Sequence, residues 1–494
     1  MQKREREKLA FAHFGSGFLA PNLMKSVEDY MHQLSTMGGS NSFIVSGKYT
    51  KSGKPILASD PHLANQIPSL WYLIEFHAGD YHSIGGSFVG IPGTLVPRSN
   101  STAWGMTNTM ADTSDLYLEK IKGEEYFYDG EYRPMGKRVE KIRVLGKGVV
   151  EFIVYSTHHG PVFKGVEDWS SMNKISPDMI PVSLENLSLS WTTLHPEDNS
   201  LGHRRQIFSA QTGQESVDAL RGVYGVTQNV LFAHDNGDFG MTTTGMFPKR
   251  QQPNNQGRYV KRGELAENDW LGLLPKQLQP YTLNPHKGFH VSTNNKLTSA
   301  NAISEIGLGM SGNNRADRLV ELIEEKIEEG HKFTVESMKA LQYDKVDHSA
   351  KEIVGKLVRL VEERRERYLE LVELHSEPQL KGILQTYLDS VEKEWSGEMA
   401  PNSREGALYL EFMNHFFSAI LQKQVPDEFT RRVIMEGYFT NNFKLKFFRG
   451  LLQDKEDFFM NEICTYTPPT TLHFGPPTTT HHCVDMVLLL LVQV

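Results

Sequence analysis

The hydrophobic period of the sequence changes close to Asn313, and this change limits the folds that the chain can adopt. Before it, runs such as "SFIVSG", "NVLFAHD" and "GFHVSTN" are rich in β-forming residues and bounded by Gly, Pro, Asn and Asp. After it, as in "RADRLVELIEEKIEE", apolar residues recur about every three and a half positions. Several early runs are apolar throughout, which predicts strands covered on both faces. We predict an α+β fold, strand-rich over 40–300 and helix-rich over 313–450, with a layered α/β arrangement as the alternative.

Charge and cysteine content exclude several classes of protein. The net charge of the 494 residues is -8 and no long run of either sign occurs, so we expect no nucleic acid and no membrane as partner. The apolar C-terminal "MVLLLLVQV" is too short to span a bilayer. The two cysteines, Cys464 and Cys483, cannot form a disulfide framework or a thiolate metal cluster in the main body. Small molecules or peptides are the expected partners.

The two ends of the chain differ from the rest in composition. The opening "QKREREKLAFAHFGSGFL" has the basic start of a signal peptide, but its short, broken apolar part fits a soluble helix equally well. Residues 461–494 are rich in Pro and Thr, which is typical of a flexible tail. Adjacent His481, His482 and Cys483 lack the further ligands that a metal site needs.

An apolar strand begins abruptly at Ser40, directly after Gly38 and Gly39. The sequence has no H-E-x-x-H, no P-loop and no G-x-S-x-G motif to suggest another kind of catalytic site. If the chain were cut between Gly39 and Ser40, the new α-amino group, with a pKa near ~8, could act as the base for the Ser40 hydroxyl. The glycines would allow the strained backbone that such a cut requires. Taken alone, Gly-Gly-Ser is typical of a turn.

A series of further segments gives Ser40 its context. They are "GKPILASDPHL", "PSLWYLIEFHAG", "GGSFVGIPGTLV", "TAWGMTNTMADTSDLYLEKI", "STHHGPVF", "LSWTTL", "QNVLFAHDNGDFGMTTTGMFP", "WLGLLP", "GFHVSTNN" and "NRADRLVELI". In these segments and their order the chain resembles the β chain of the penicillin amidase (penicillin acylase) family. The resemblance implies a four-layered αββα sandwich of the N-terminal-nucleophile (Ntn) hydrolases over 40–460. It also implies a zymogen that cuts itself before Ser40 and then hydrolyses linear, non-peptide amides.

The resemblance assigns roles to individual residues. Ser40 matches the nucleophile, with its freed α-amine as general base. His62, in "SDPHL", matches a position beside the nucleophile that orients the amine or the substrate; by itself it would be a hydrogen-bonding turn residue. Arg315 matches an arginine that fixes the oxyanion asparagine; by itself it would be a surface arginine at the start of a helix.

Two oxyanion donors are also implied. They are the backbone N–H of Asn108 in "GMTNT" and the side-chain amide of Asn294 in "STNNK". Asn295 is the rival of Asn294 if the register is shifted by one residue. Each such donor is worth ~2.7 to 4 kcal/mol in acyl transfer.

A calcium site and a substrate pocket complete the expectations. Asp112, the Ser114 carbonyl and Asp115 present oxygen ligands at a spacing that suits calcium, and a bare D-x-x-D is otherwise typical of an Asx-turn. The resemblance favours calcium, with Glu305 as an uncertain further ligand. Val96 and Trp191 match regions that line the acyl pocket, although Trp191 alone would be a core aromatic residue.

Departures from the family pattern leave two other interpretations open. Only 39 residues precede Ser40, as a propeptide or remnant of the α chain, which in the family contributes part of the pocket. "PRSN" stands where the family usually has Gly-His-Asn. The chain could therefore be an inactive remnant that acts as a binding protein or fragment. A serine hydrolase that uses His158 or His159 fits less well, because these residues match a structural strand end. By resemblance the compartment is extracellular, periplasmic or lysosome-like.

Overall fold

The structure is a computed structural model. It describes residues 39–63, 67–163, 186–251, 260–295, 297, 314–363, 365–366, 369, 395–407 and 409–410. The predicted propeptide, the Pro/Thr-rich tail, Glu305 and much of the predicted helical region lie outside the described residues.

The strands of the described residues are numbered in chain order. They are β1 (Ser40–Val45), β2 (Ile56–Pro61), β3 (Trp71–Ala78), β4 (Tyr81–Phe88), β5 (Val96–Ser99), β6 (Thr102–Asn108), β7 (Ser114–Leu118), β8 (Lys120–Lys122), β9 (Glu125–Tyr128), β10 (Glu131–Pro134), β11 (Gly136–Val144), β12 (Gly148–Thr157), β13 (Gly160–Val162), β14 (Leu187–Trp191), β15 (Gln228–His234), β16 (Phe239–Thr243), β17 (Pro248–Arg250), β18 (Lys261–Arg262), β19 (Trp270–Leu273), β20 (Tyr281–Leu283) and β21 (Phe289–Ser292). The helices are α1 (Ser200–Ser209), α2 (Gly213–Leu220), α3 (Asn314–Glu328), α4 (Val335–Gln342) and α5 (His348–Glu363).

Two sheets form the centre of the molecule up to Gln342. One has the strand order β2-β1-β21, and the other has the order β20-β16-β15-β6-β5-β4-β3. All their strand pairs are antiparallel. A third sheet, β11-β12-β13-β14-β7-β18, includes one parallel pair, β18 with β7. The smaller sheets are β10-β9-β8 and β17-β19.

The packing of helices on these sheets produces four layers. Strands β1 and β2 pack on β6 and β15 of the seven-stranded sheet, so the two sheets lie face to face. Helices α3 and α4 cover the outer face of the three-stranded sheet, whereas α2 covers the outer face of the seven-stranded sheet. The predicted αββα order is therefore confirmed.

Burial explains why β1 is apolar along its whole length. Phe43 and Val45 belong to the core shared with α3 and α4, whereas Ile44 faces the core shared with β15 and β16. Successive side chains of a strand point to opposite faces, and here both faces are covered. These three residues are fully buried.

The helices next to the sheets follow from local sequence. In α3 the buried residues Ala316, Leu319 and Ile323 fall on one stripe of a helix whose other face is charged. Helix α2 begins after Thr212, whose side chain accepts a hydrogen bond from the Glu215 N–H and so caps the first turn. Helix α3 was predicted from the sequence pattern after Asn313 and is present.

Strands β3 and β12 are more exposed than β1 and β15. Strand β3 is the outer strand of the seven-stranded sheet, and Leu73 on it is 87% exposed. Val149 and Val150 of β12 are exposed as well. The expectation of two-sided burial concerned runs that are apolar throughout and holds for β1 and β15, whereas the runs of β3 and β12 are interrupted by Glu75 and Glu151.

The described residues from Tyr343 onward belong to a second compact unit. It contains α5, with Ile353 and Val354 buried, and a bridge between Val346 and Glu398. Within the described part of the chain, we find no helix that has both the length and the apolar character needed to cross a membrane.

Candidate active site

Ser40 is the first residue of β1, the middle strand of the three-stranded sheet, and it is buried. It lies opposite Pro61 of β2, and one residue earlier the His62 N–H donates to the Gly39 carbonyl at 2.8 Å. Backbone pairing with β2 therefore holds both sides of the Gly39–Ser40 peptide bond in the uncleaved chain.

Asn294 follows β21, the other neighbour of β1, and connects three parts of the site. Its Oδ1 accepts hydrogen bonds from the Ser40 N–H at 2.7 Å and from Arg315 Nη2 at 3.0 Å. Its Nδ2 donates to the Asn108 carbonyl at 2.9 Å. These partners define which end of the amide is oxygen and which is nitrogen. The residue has a φ of 65°, a left-handed conformation that Asn tolerates better than most residues.

Arg315, in the first turn of α3, fixes the surroundings of Ser40. Its Nη1 donates to the Ser40 carbonyl at 2.8 Å and to Asn41 Oδ1 at 2.7 Å. Its Nη2 donates to the Thr293 carbonyl at 2.6 Å. A Cβ at Gly39 would lie 2.6 Å from Nη2, so only glycine allows this approach of the guanidinium. The close approach of Arg315 therefore explains why position 39 is a glycine, which the sequence alone did not reveal.

His62 lies beside Ser40 with its backbone, whereas its ring turns towards Asp60. Nε2 of His62 is 2.6 Å from Asp60 Oδ2, and the side chain is 47% exposed. Asp60 also accepts hydrogen bonds from Asn41 Nδ2 at 3.2 Å and Gln342 Nε2 at 3.0 Å. Asp60 was not among the residues predicted from the sequence. It stands two positions before His62 in "SDPHL", and residues two positions apart on a strand share one face.

The structure distinguishes Asn294 from Asn295, the two candidates for the side-chain oxyanion donor. Asn294 contacts Ser40, whereas Asn295 Oδ1 accepts a hydrogen bond from the Thr293 N–H at 2.8 Å and stabilises the turn. Asn108 ends β6 opposite Gln228 of β15. The structure therefore brings Ser40, Asn294 and Asn108 together from three different strands or their ends.

The two predicted pocket residues lie in other parts of the fold. Val96 begins β5 opposite Gly86 in the seven-stranded sheet. Trp191 ends β14 opposite Ser114, and it is 41% exposed rather than part of a core. Within the described ranges, no hydrogen bond joins either residue to Ser40. Their role in substrate binding stays a prediction.

Asp115 is buried and surrounded by hydrogen-bond donors. Its Oδ2 accepts from Arg250 Nε at 2.9 Å, from Lys261 Nζ at 2.7 Å and from Trp270 Nε1. Nη2 of the same arginine donates to Asp112 Oδ1 at 3.1 Å. Burial lowers the pKa of Lys261, and the hydrogen bond and charge of Asp115 oppose that change.

This arrangement does not fit the calcium site predicted for Asp112, Ser114 and Asp115. A calcium ion needs several free oxygen ligands, and here it would have to displace the buried cations Arg250 and Lys261. Sequence reasoning missed both cations, which lie 135 and 146 residues from Asp115 in the chain. Calcium binding at these residues stays a prediction of the resemblance.

His159 belongs to a buried polar cluster at the end of β12. Its Nδ1 is 2.8 Å from Glu119 Oε1 and its Nε2 is 3.0 Å from Asp269 Oδ1. Its ring stacks on Tyr117 with the ring centres 3.7 Å apart. Burial by itself would raise the pKa of Glu119, but hydrogen bonds from His159 and Ser188 outweigh it and hold that pKa below its usual value. Both ring nitrogens of His159 are thus engaged in structural contacts.

The fold is a four-layered αββα sandwich of α+β class. It is similar to the structure of thermostable penicillin G acylase from Alcaligenes faecalis, with a TM-score of 0.61 and 18% identity over 91% of this chain and 77% of that chain. The sequence gives the narrower assignment. The model of the family described as penicillin amidase matches residues 2–475, so the chain belongs to the penicillin amidase family.

The chain is similar to curated proteins named as acyl-homoserine lactone acylases and to others named as penicillin acylases. Acyl-homoserine lactone acylase QuiP of Pseudomonas aeruginosa is 27% identical over 63% of this chain and 36% of its own length. Penicillin acylase 2 proenzyme of a Pseudomonas species is 27% identical over 58% of this chain and 35% of its own length. The chain therefore matches about a third of the length of each of these relatives.

Proposed function

We propose that the chain is an amidohydrolase that cleaves a linear, non-peptide amide through an acyl-enzyme on Ser40. The observation that carries the proposal is the position of Asn294, whose amide lies between the Ser40 nitrogen, Arg315 and the Asn108 carbonyl. One hydrogen-bonded unit therefore contains the proposed nucleophile Ser40, the nitrogen that would become its base, and the side-chain donor Asn294.

The first reaction is maturation of the chain at Gly39–Ser40. The Ser40 hydroxyl attacks the Gly39 carbonyl carbon, its proton passes to the departing Ser40 nitrogen, and an ester replaces the peptide bond. Water then hydrolyses the ester, which leaves a carboxylate on Gly39 and restores the hydroxyl. The His62 N–H, 2.8 Å from the Gly39 carbonyl oxygen, is placed to stabilise the negative charge that develops there.

The second reaction is turnover with the freed α-amine as base. The amine takes the proton of the Ser40 hydroxyl, which attacks the substrate carbonyl, and the same proton then goes to the leaving amine. Water then attacks the acyl-enzyme ester. The amine takes a proton from this water and passes it to the Ser40 oxygen as the carboxylic acid leaves. Arg315 and Asn294, which contact the Ser40 carbonyl and the Ser40 nitrogen, would hold the residue that carries this amine in place.

Two donors would stabilise the oxyanion during turnover. A side-chain amide has two N–H groups, and one of those on Asn294 is used by the Asn108 carbonyl. The second N–H of Asn294, together with the backbone N–H of Asn108, is the proposed pair. Each donor would contribute ~2.7 to 4 kcal/mol.

The proposed substrate is an N-acyl amine, since the named relatives are acylases of acyl-homoserine lactones and of penicillin. Val96 and Trp191 are proposed to line the acyl side of the pocket. A separate α chain, by analogy with the family, is the proposed partner.

The test is intact mass and N-terminal sequencing of the purified protein and of Ser40→Ala. A new chain that begins with Ser40-Asn41 in the wild type alone is the expected result, followed by release of amine from a panel of N-acyl amides. A wild type that stays uncleaved would overturn the proposal and favour an inactive, binding function for this chain.

A further inference from the structure

A cluster of two histidines and one glutamate lies on the hairpin of β3 and β4, in the outer part of the seven-stranded sheet. Glu75 and His77 are two residues apart on β3 and therefore share one face. His82, on β4, is paired directly with His77 across the hairpin. Strand geometry alone thus brings three potential metal ligands to one place.

The ligand atoms of these residues converge. Nε2 of His77 is 3.1 Å and Nε2 of His82 is 2.8 Å from the same Glu75 oxygen, Oε1. The imidazole rings are nearly parallel, with an angle of 17° and centres 4.4 Å apart. One ligand atom from each residue lies within 4.8 Å of the other two. Tetrahedral zinc with bonds of about 2.0 to 2.2 Å needs ligand separations of about 3.4 Å, which small side-chain rotations would provide.

The backbone that carries the ligands is held in place. Asn100, in the turn between β5 and β6, accepts a hydrogen bond from the His82 N–H at 2.9 Å and donates to the Asp80 carbonyl at 2.6 Å. The hairpin turn itself uses Gly79 with a φ of 61°, a conformation that glycine adopts without strain. Because the strands are fixed, an ion would not need to order them.

Charge and access also suit a cation. The Glu75 carboxylate lies against both imidazoles and offers an oxygen ligand at the centre of the cluster. The three side chains are 33 to 70% exposed, which lets an ion enter from solvent and keeps further coordination positions open. The other histidine cluster differs, because His159 is buried and already bonded to Glu119 and Asp269.

We propose that Glu75, His77 and His82 form a binding site for a divalent transition metal, with Zn²⁺ as the reference ion. Two imidazole nitrogens and one carboxylate oxygen would bind the ion, and water would fill the remaining position. Each imidazole would bind through Nε2 and carry its proton on Nδ1. The site is independent of Ser40 and of the proposed amide hydrolysis.

The test is a titration of the purified full chain with Zn²⁺, in which calorimetry measures the heat of binding. The variants are Glu75→Gln and the double variant His77→Ala/His82→Ala. His286→Ala, which removes an exposed histidine from the turn before β21, is the matched control. Comparison of stoichiometries, rather than of total binding, separates this site from zinc bound elsewhere on the chain.

The expected result is one zinc ion fewer per chain in the double variant and at least a tenfold weaker site in Glu75→Gln, with no change in His286→Ala. Zinc should also raise the melting temperature of the wild type and not that of the double variant. Co²⁺ in place of Zn²⁺ should give a visible absorption band that the double variant lacks. Equal stoichiometry in the wild type and the double variant, or no zinc bound by the wild type, would overturn the proposal.

Discussion

Arg315→Met is the substitution that most directly tests the structure around Ser40. Methionine keeps much of the apolar stem and removes the guanidinium, which donates to four oxygens, on Ser40, Asn41, Thr293 and Asn294. We expect two effects, a less stable precursor and a much slower cut at Gly39–Ser40.

The magnitude follows from the burial of the acceptors. Thr293 and Asn294 are 0% and 1% exposed, so water cannot replace the lost donors. A buried acceptor without a partner costs about 1 to 3 kcal/mol. Asn294 Oδ1 keeps the Ser40 N–H, which places the expected loss at about 2 to 3 kcal/mol. Because the same arginine orients both reacting partners, a shift of about 1 Å would slow the cut roughly 100-fold.

The assay separates the two effects. The free energy of unfolding is measured by denaturant titration in the Ser40→Ala background, where no cut occurs, and the rate of the cut is measured by intact mass over time. Arg318→Met is the matched control, since Arg318 on the same helix forms a partly exposed pair with Glu321 at 2.9 Å, worth at most about 1 kcal/mol. Wild-type stability and wild-type cleavage in Arg315→Met would refute the role assigned to this residue.

Three further predictions concern groups away from Ser40. Burial, and then the charge of Lys287, lowers the pKa of His290 to about 4, and Nε2 of His290 has no hydrogen-bond partner within the described residues. The unfolded chain binds that proton near pH 6.5, so stability should fall by about 3 kcal/mol as the pH drops from 6.5 to 4, and His290→Gln should flatten this slope in denaturant titrations. Asp115→Asn should lose roughly 3 to 5 kcal/mol, because the buried Lys261 and Arg250 lose the carboxylate that both contact and Arg250 keeps only Asp112. Added calcium should not raise the wild-type melting temperature, and a clear rise with calcium would instead support the calcium site. His159→Ala should lower the melting temperature and leave the rate of amide hydrolysis by the matured chain within a few-fold; abolished turnover would favour the histidine-dependent serine hydrolase.

The layered fold could be predicted by resemblance to the family, and the local sequence pattern agrees with it at β1. β1 is apolar at Phe43, Ile44 and Val45 since both of its faces are covered. Strand β3, whose run is interrupted by Glu75 and His77, lies at the edge of its sheet, and Leu73 on it is exposed. Strand order depends on contacts that are distant in sequence.

In the candidate site, too, some residues could be predicted from the sequence and others could not. Ser40, Asn294 and Arg315 could be predicted by resemblance, and the structure places them in direct contact. Arg250 and Lys261 could not be predicted, because nothing near them in the sequence points to Asp115. The contact between Gly39 and Arg315 was likewise hidden, since a glycine does not show which side chain needs its space.

The contact between Gly39 and Arg315 also has a consequence for the moment after the chain is cut. Hydrolysis would turn the Gly39 carbonyl into a carboxylate that still faces the His62 N–H and lies against the guanidinium. Charge-assisted hydrogen bonds of this kind are about twice as strong as neutral ones. The released segment would therefore stay bound beside Ser40 as a product inhibitor, and its departure, rather than the cut, would set the time at which the enzyme becomes active. Added salt, which weakens such a pair, should shorten the delay between cleavage and full activity.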